Sequence, residues 1–190
     1  MLSLMLAWLL RFFNSMVAVD FKIFYNKCII IFPDYMEAIM EIERKYLIDE
    51  IPFDLKDYSC KVIEQGYLNT DPVVRVRRSN DKYILTYKGS GLMVREEYNL
   101  PLNEEAYRHL IQKADGIIIS KKRYLIPLTG RLTIELDIFE GDLAPLKLAE
   151  VEFETKEEAE SFLPPKWFGK DVTFSSDYHN STLSRVGLPT

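Results

Sequence analysis

The chain has 190 residues, 47% of them hydrophobic and 28% charged, enough for one domain with a sizeable core. Its 29 acidic residues outnumber the 24 basic ones, for a net charge of −5, which excludes the general basic footprint of a nucleic-acid binder. Any anion site must therefore gather its cations locally. Cys28 and Cys60 show neither zinc-site nor disulfide-framework spacing and fit a reducing, cytoplasmic setting, and His109 and His179 share no ligand spacing.

Residues 1–39 differ in character from the rest. Residues 2–13 are nearly continuous apolar, interrupted by Arg11. The run is shorter than the ~20 residues a membrane-spanning helix needs, and no basic region precedes it as in a secretory signal. It is expected to be an N-terminal extension that is weakly ordered or not native, with a membrane-surface anchor as the alternative. The functional domain is expected over 40–190.

From Met40 the pattern is strands with turn signals between them. Strands are expected at 41–48, 59–69, 73–79, 82–88 and 93–100, with Asp71-Pro72, Asn80-Asp81 and Gly89-Ser90-Gly91 as turns. Lys88-Gly89-Ser90-Gly91 is not a phosphate-binding P-loop, because the glycines follow the lysine and no helix opens there. Asn103, followed by Glu104 and Glu105, caps a helix that ends near Gly116. Strands follow at 117–126, 131–139 and 147–154. Thr155 with Glu158 forms a capping box for a short helix before Pro164-Pro165. A last helix is expected in the polar tail, 177–186. Asn180-Ser181-Thr182 fits a glycosylation acceptor, which nothing else in the sequence supports.

Side chains two apart share a strand face, and one face of nearly every strand is charged. The first strand aligns Glu41, Glu43 and Lys45, with Ile42, Arg44 and Tyr46 opposite. Later strands align Arg75 with Arg77, Thr86 with Lys88, Arg95 with Glu97 and Asn99, and Lys121 with Arg123. The last two align Thr133, Glu135 and Asp137, then Leu148, Glu150, Glu152 and Glu154. An antiparallel sheet with one wet face also alternates in this way. These rows, however, are charged almost throughout and sort by sign, and their arginines recur in pairs suited to phosphate or carboxylate. Closing the strands into a barrel would turn the charged rows inward and leave helices to cover the apolar rows outside. A polyanion with divalent cations would satisfy both signs, and oxygen ligands favour Mg²⁺ or Mn²⁺.

The ordered set of motifs resembles the CYTH domains, or triphosphate tunnel metalloenzymes, in their short bacterial form. It runs from Glu41-x-Glu43-x-Lys45 through Gln65-Gly66-Tyr67-Leu68, Arg75-Val76-Arg77, Thr86-Tyr87-Lys88-Gly89 and Arg95-Glu96-Glu97. Lys121-Lys122-Arg123-Tyr124, Glu135-Leu136-Asp137, Ala149-Glu150-Val151-Glu152, residues 167–173 and then Tyr178-His179-Asn180 complete it. The resemblance implies an α+β fold, mainly antiparallel β, built as an eight-stranded closed tunnel with helices packed outside. It implies metal-dependent hydrolysis of triphosphates, with inorganic tripolyphosphate first. An adenylate cyclase or a thiamine or nucleoside triphosphatase on the same scaffold is the alternative, and a non-catalytic phosphate-binding module is a third reading. By the same resemblance Lys45, Arg75, Arg77, Lys88, Arg95, Lys121 and Arg123 contact phosphates. Glu41, Glu43, Glu150 and Glu152 are the main metal ligands, and Glu97, Glu135 and Asp137 complete the acidic wall at a second metal or at the attacking water. Lys45 and Tyr67 are the candidates to position that water. Asn99 departs from the family pattern, where many members carry another acid, and this weakens a full second metal site. The expected partner is a small triphosphate, with no nucleic acid and no membrane span; monomer and homodimer are both compatible.

Overall fold

The computed structural model describes residues 39–189, with 39, 40 and 95 described by their backbone alone. The expectations for the N-terminal extension lie outside the described residues, except that the first strand already begins at Ile39. The strands are β1 (Ile39–Leu47), β2 (Ser59–Thr70), β3 (Val73–Ser79), β4 (Lys82–Lys88), β5 (Val94–Leu102), β6 (Asp115–Pro127), β7 (Thr133–Glu140) and β8 (Lys147–Glu152). They form one antiparallel ring in the order β1-β5-β4-β3-β2-β6-β7-β8. The ring closes through β1, which divides its pairing: residues 39–42 pair with β5 and residues 43–47 with β8. The eight expected strands are all present, with ends shifted by up to two residues.

Turn chemistry places the strands. Ser79 and Lys82 pair on either side of the Asn80-Asp81 turn, and Asn80 sits at φ 51°, a left-handed conformation that asparagine tolerates. Its side-chain carbonyl also accepts from the Val62 amide at 2.9 Å, which ties this hairpin to β2.

Among the described residues the helices are α1 (Glu104–Ile111), α2 (Lys156–Ser161) and α3 (Asn180–Val186). Asn103 Oδ1 caps α1 by accepting from the Ala106 amide at 2.8 Å. Tyr107 anchors α1 on the outside of the barrel and donates to Glu64 Oε1 at 2.8 Å. Gly66 lets this contact close up, since a Cβ there would stand 2.6 Å from Ala114 Cβ and 2.8 Å from Ile111 Cδ1. Thr155 caps α2 as expected, but Glu158 reaches back to the Glu154 amide rather than to that of Thr155. Ala159 of α2 belongs to an outer core with Ile134, Leu136, Ala149, Val151 and Phe153, the apolar rows of β7 and β8.

The third helix does something different from lying on the barrel wall. A second core joins Leu183 of α3 to Tyr67, Ile119, Phe139 and Leu148, with Leu143 and Val172. Ile119, Phe139 and Leu148 continue the inward rows of Lys121, Asp137 and Glu150. The interior is therefore charged along most of its length and has an apolar floor at one end.

Candidate active site

The strands aim their inward rows into one cavity of about 150 Å³. Glu41, Glu43, Lys45, Tyr67, Arg75, Arg77, Lys88, Glu97, Lys121, Arg123, Glu135, Glu150 and Glu152 all line it. The backbone of Arg95 stands opposite Glu41 in the β1–β5 ladder; its side chain lies outside the described residues. Asp137 is completely buried behind the wall, where it pairs with Lys121 and Arg123, so it backs the cations instead of facing the cavity. Arg44 and Ile42 point outward as expected: Arg44 pairs with Asp171, and Ile42 packs on the outer core.

Most of the buried charge is arranged in ion pairs across the cavity. Lys88 Nζ lies 2.6 Å from both Glu41 and Glu97. Lys45 Nζ bridges Glu150 at 2.9 Å and Glu43 at 3.4 Å. Arg123 donates to both oxygens of Asp137 at 2.6 Å, to Glu150 at 2.5 Å, and to Glu135. Burial pushes the Glu150 carboxyl up, but Lys45, Arg123 and Lys121 outweigh it and hold the group well below its usual range. Burial pushes the Lys121 ammonium down to about 8 despite Asp137 at 2.5 Å, which leaves it a cation at neutral pH.

Two places are out of balance, with opposite sign. Arg77 makes no ion pair among the described residues, and the Nε atoms of Arg75 and Arg77 are both buried without a hydrogen-bond partner. Arg75 beside it, then burial and Arg123, push the Arg77 guanidinium down to about 10. Glu152 is the converse. It opens toward solvent, yet burial of its carboxyl and the charges of Glu135, Glu41, Glu43 and Glu150 push it up to about 7. Its direct cross-strand neighbour is Glu43. Among the described residues, one wall thus carries an excess of cation and the other an excess of anion.

Asn99 is built into this network. Its amide donates to Glu97 at 2.6 Å, and its carbonyl accepts from Thr86 Oγ1 at 2.7 Å, which in turn accepts from Arg75 at 3.1 Å. The residue that departs from the family pattern therefore links an acid of one wall to an arginine of the other.

The CYTH domain model matches residues 40–186. The chain belongs to the CYTH domain family. It is 36% identical over 147 residues to an inorganic triphosphatase of Nitrosomonas europaea, covering 76% of this chain and 96% of that protein. It is 35% identical over 151 residues to an inorganic triphosphatase of Acetivibrio thermocellus, covering 75% and 92%. A crystal structure of an inorganic triphosphatase superposes with a TM-score of 0.59 at 34% identity, over 77% of this chain and 95% of that one.

The CYTH interior also holds residues that the charged rows did not reveal. Lys61, Ile63 and Ser79 line the cavity from β2 and β3, and His179, Asn180 and Ser181 line it from the tail. Lys121 reaches Asn180 Oδ1 at 3.4 Å. Gln65, 1% exposed, donates to the Tyr67 hydroxyl at 3.0 Å and so fixes that ring within the floor. No helix among the described residues is long and apolar enough to cross a membrane.

A divalent cation, which the family implies, fits the donor set. The surplus around Glu152 is made of carboxylate oxygens only, the chemistry that Mg²⁺ or Mn²⁺ takes. No three such groups among the described residues already converge as a finished cage. The reason is visible in the ion pairs, since Glu41, Glu43 and Glu150 are drawn onto Lys88, Lys45 and Arg123.

Proposed function

We propose that this CYTH domain, starting near residue 40, hydrolyses inorganic triphosphate to pyrophosphate and phosphate with Mg²⁺ or Mn²⁺ in the cytoplasm. The observation that carries the reading is the pair of opposite imbalances among the described residues, Arg77 without an ion pair beside Arg75 and an over-acidic Glu152 beside Glu43. A metal triphosphate supplies both missing charges at once. The relatives named inorganic triphosphatases support this choice of substrate.

In this reading Arg75, Arg77, Arg95, Lys121 and Arg123 hold phosphate oxygens, and Lys45 and Lys88 turn from their carboxylates toward the substrate. Glu41, Glu43, Glu150 and Glu152 are then released to hold the metal, with Glu97 and Glu135 beside them. A divalent cation held by these carboxylates would supply charge neutralisation and Lewis-acid polarisation to the phosphates. Asp137 keeps Lys121 and Arg123 aimed inward. Lys45 and Tyr67 orient the attacking water, and the P–O anhydride bond breaks as the water oxygen bonds to phosphorus. Phosphoryl transfer is mostly positioning and charge stabilisation, which the inward-facing charges of the barrel provide.

The test is an assay of the purified protein with tripolyphosphate, ATP and thiamine triphosphate, each with Mg²⁺ or Mn²⁺. Phosphate release mainly from tripolyphosphate is the expected result. Cyclic AMP from ATP would replace the reading with a cyclase, and binding without turnover would replace it with a binding module.

A further inference from the structure

Lys61 stands at the end of the cavity farthest from the apolar floor. In the β2–β6 ladder Gln65 pairs with Ile119 at the floor, Ile63 with Lys121, and Lys61 with Arg123. Lys61 and Ser79 both line the cavity, and Ser79 pairs with Ile63, one step diagonal from Lys61. Like charges directly opposite on neighbouring strands destabilise a sheet. Arg123 offsets its own charge through Asp137, Glu135 and Glu150, whereas Lys61 makes no ion pair among the described residues. A half-buried lysine opposite an arginine in the ladder, with a serine lining the same cavity one step away, has the chemistry of a phosphate-oxygen position.

On the reading that the substrate is a triphosphate, we infer that Lys61, with Ser79 beside it, binds the outermost phosphoryl group and selects inorganic triphosphate over triphosphates carrying an organic group. An inorganic chain is charged at both ends. A nucleoside triphosphate has an ester at one end, and that end would bring a neutral sugar against the ammonium. The floor gives the sugar no room, because Phe139 and Leu148 are 2% and 0% exposed. Lys61 thus adds affinity for one substrate class and little for the other.

The test compares wild type with Lys61→Met, using kinetics on tripolyphosphate and ATP and calorimetric binding of tripolyphosphate in EDTA. One charged hydrogen bond is lost, so KM and Kd for tripolyphosphate should each rise about tenfold. kcat should change less, and the preference for tripolyphosphate over ATP should fall by a similar factor. Lys61→Arg should restore most of the binding, and the exposed Lys113→Met should not change it. Circular dichroism checks the fold, with Lys61→Gln as a second neutral variant. Unchanged Kd in both neutral variants overturns the assignment, and an equal loss for both substrates overturns the selectivity. A wild type that binds tripolyphosphate through Lys61 but never cleaves it would defeat the proposed reaction and leave the binding position standing.

Discussion

Glu43 and Glu152 face one another across the β1–β8 ladder, carboxylate opposite carboxylate. Like charges in that position cost stability, a cost that the proposed cation between them would offset. Glu152→Gln should therefore reduce metal-dependent turnover by about two orders of magnitude or more while leaving the fold intact. Its thermal midpoint in metal-free buffer should stay level or rise. Near-wild-type turnover in both Glu152→Gln and Glu43→Gln would sink the metal assignment.

The same group sets a pH dependence. The folded-state pKa of Glu152, about 7, lies above that of an ordinary carboxyl, so the folded protein holds this proton more tightly than the unfolded chain does. Its contribution is fully present below the unfolded carboxyl pKa and is lost as pH rises through about 7. With its exposure to solvent, the loss should be about 1 kcal/mol. Denaturant titrations of metal-free protein across pH 5–8 should show this decline, and Glu152→Gln should flatten it.

Arg77 yields the complementary expectation. It makes no ion pair among the described residues, so Arg77→Met removes little from the folded state and, on the proposed reading, much from the phosphate site. Catalytic efficiency on tripolyphosphate should fall about a hundredfold, with the melting temperature within a few degrees of wild type. A variant that keeps full efficiency would place the phosphates elsewhere.

The barrel and most of its charged lining were legible in the sequence, because side chains alternate strictly along a strand and one face of nearly every strand is charged. Asp137 aligned with Glu135 in that pattern, yet its depth behind Lys121 and Arg123 depends on packing between strands, which alternation does not encode. Lys61 escaped for a related reason. Its inward row reads Lys61, Ile63, Gln65 and Tyr67, a mixture with no repeated charge. The floor was hidden because Ile119, Phe139 and Leu148 look no different in sequence from residues of an outer face. Only the tail, folding back to bury Leu183 against them, decides which side they serve.

The last expectation concerns that tail. Arg44, on the outer side of β1, donates to the carbonyls of Ala159 and Phe162 at 3.1 and 3.2 Å and pairs with Asp171. Asp171 accepts from the amide and hydroxyl of Thr173 at 2.9 and 2.6 Å, and Thr173 Oγ1 accepts from the Lys45 amide at 3.0 Å. Burial pushes the Asp171 carboxyl up, but Thr173 and Arg44 outweigh it and leave the group below its ordinary value. A depressed carboxylate contributes stability above the unfolded pKa and loses it as pH falls through the folded one. Asp171→Asn should thus cost about 1 kcal/mol at pH 7, the figure allowing for a side chain more than a third exposed. The difference from wild type should shrink toward zero once the pH falls below the folded pKa, in paired denaturant titrations at pH 7 and in strong acid. A gap that persists unchanged in acid would mean that Asp171 holds the tail by shape and not by charge.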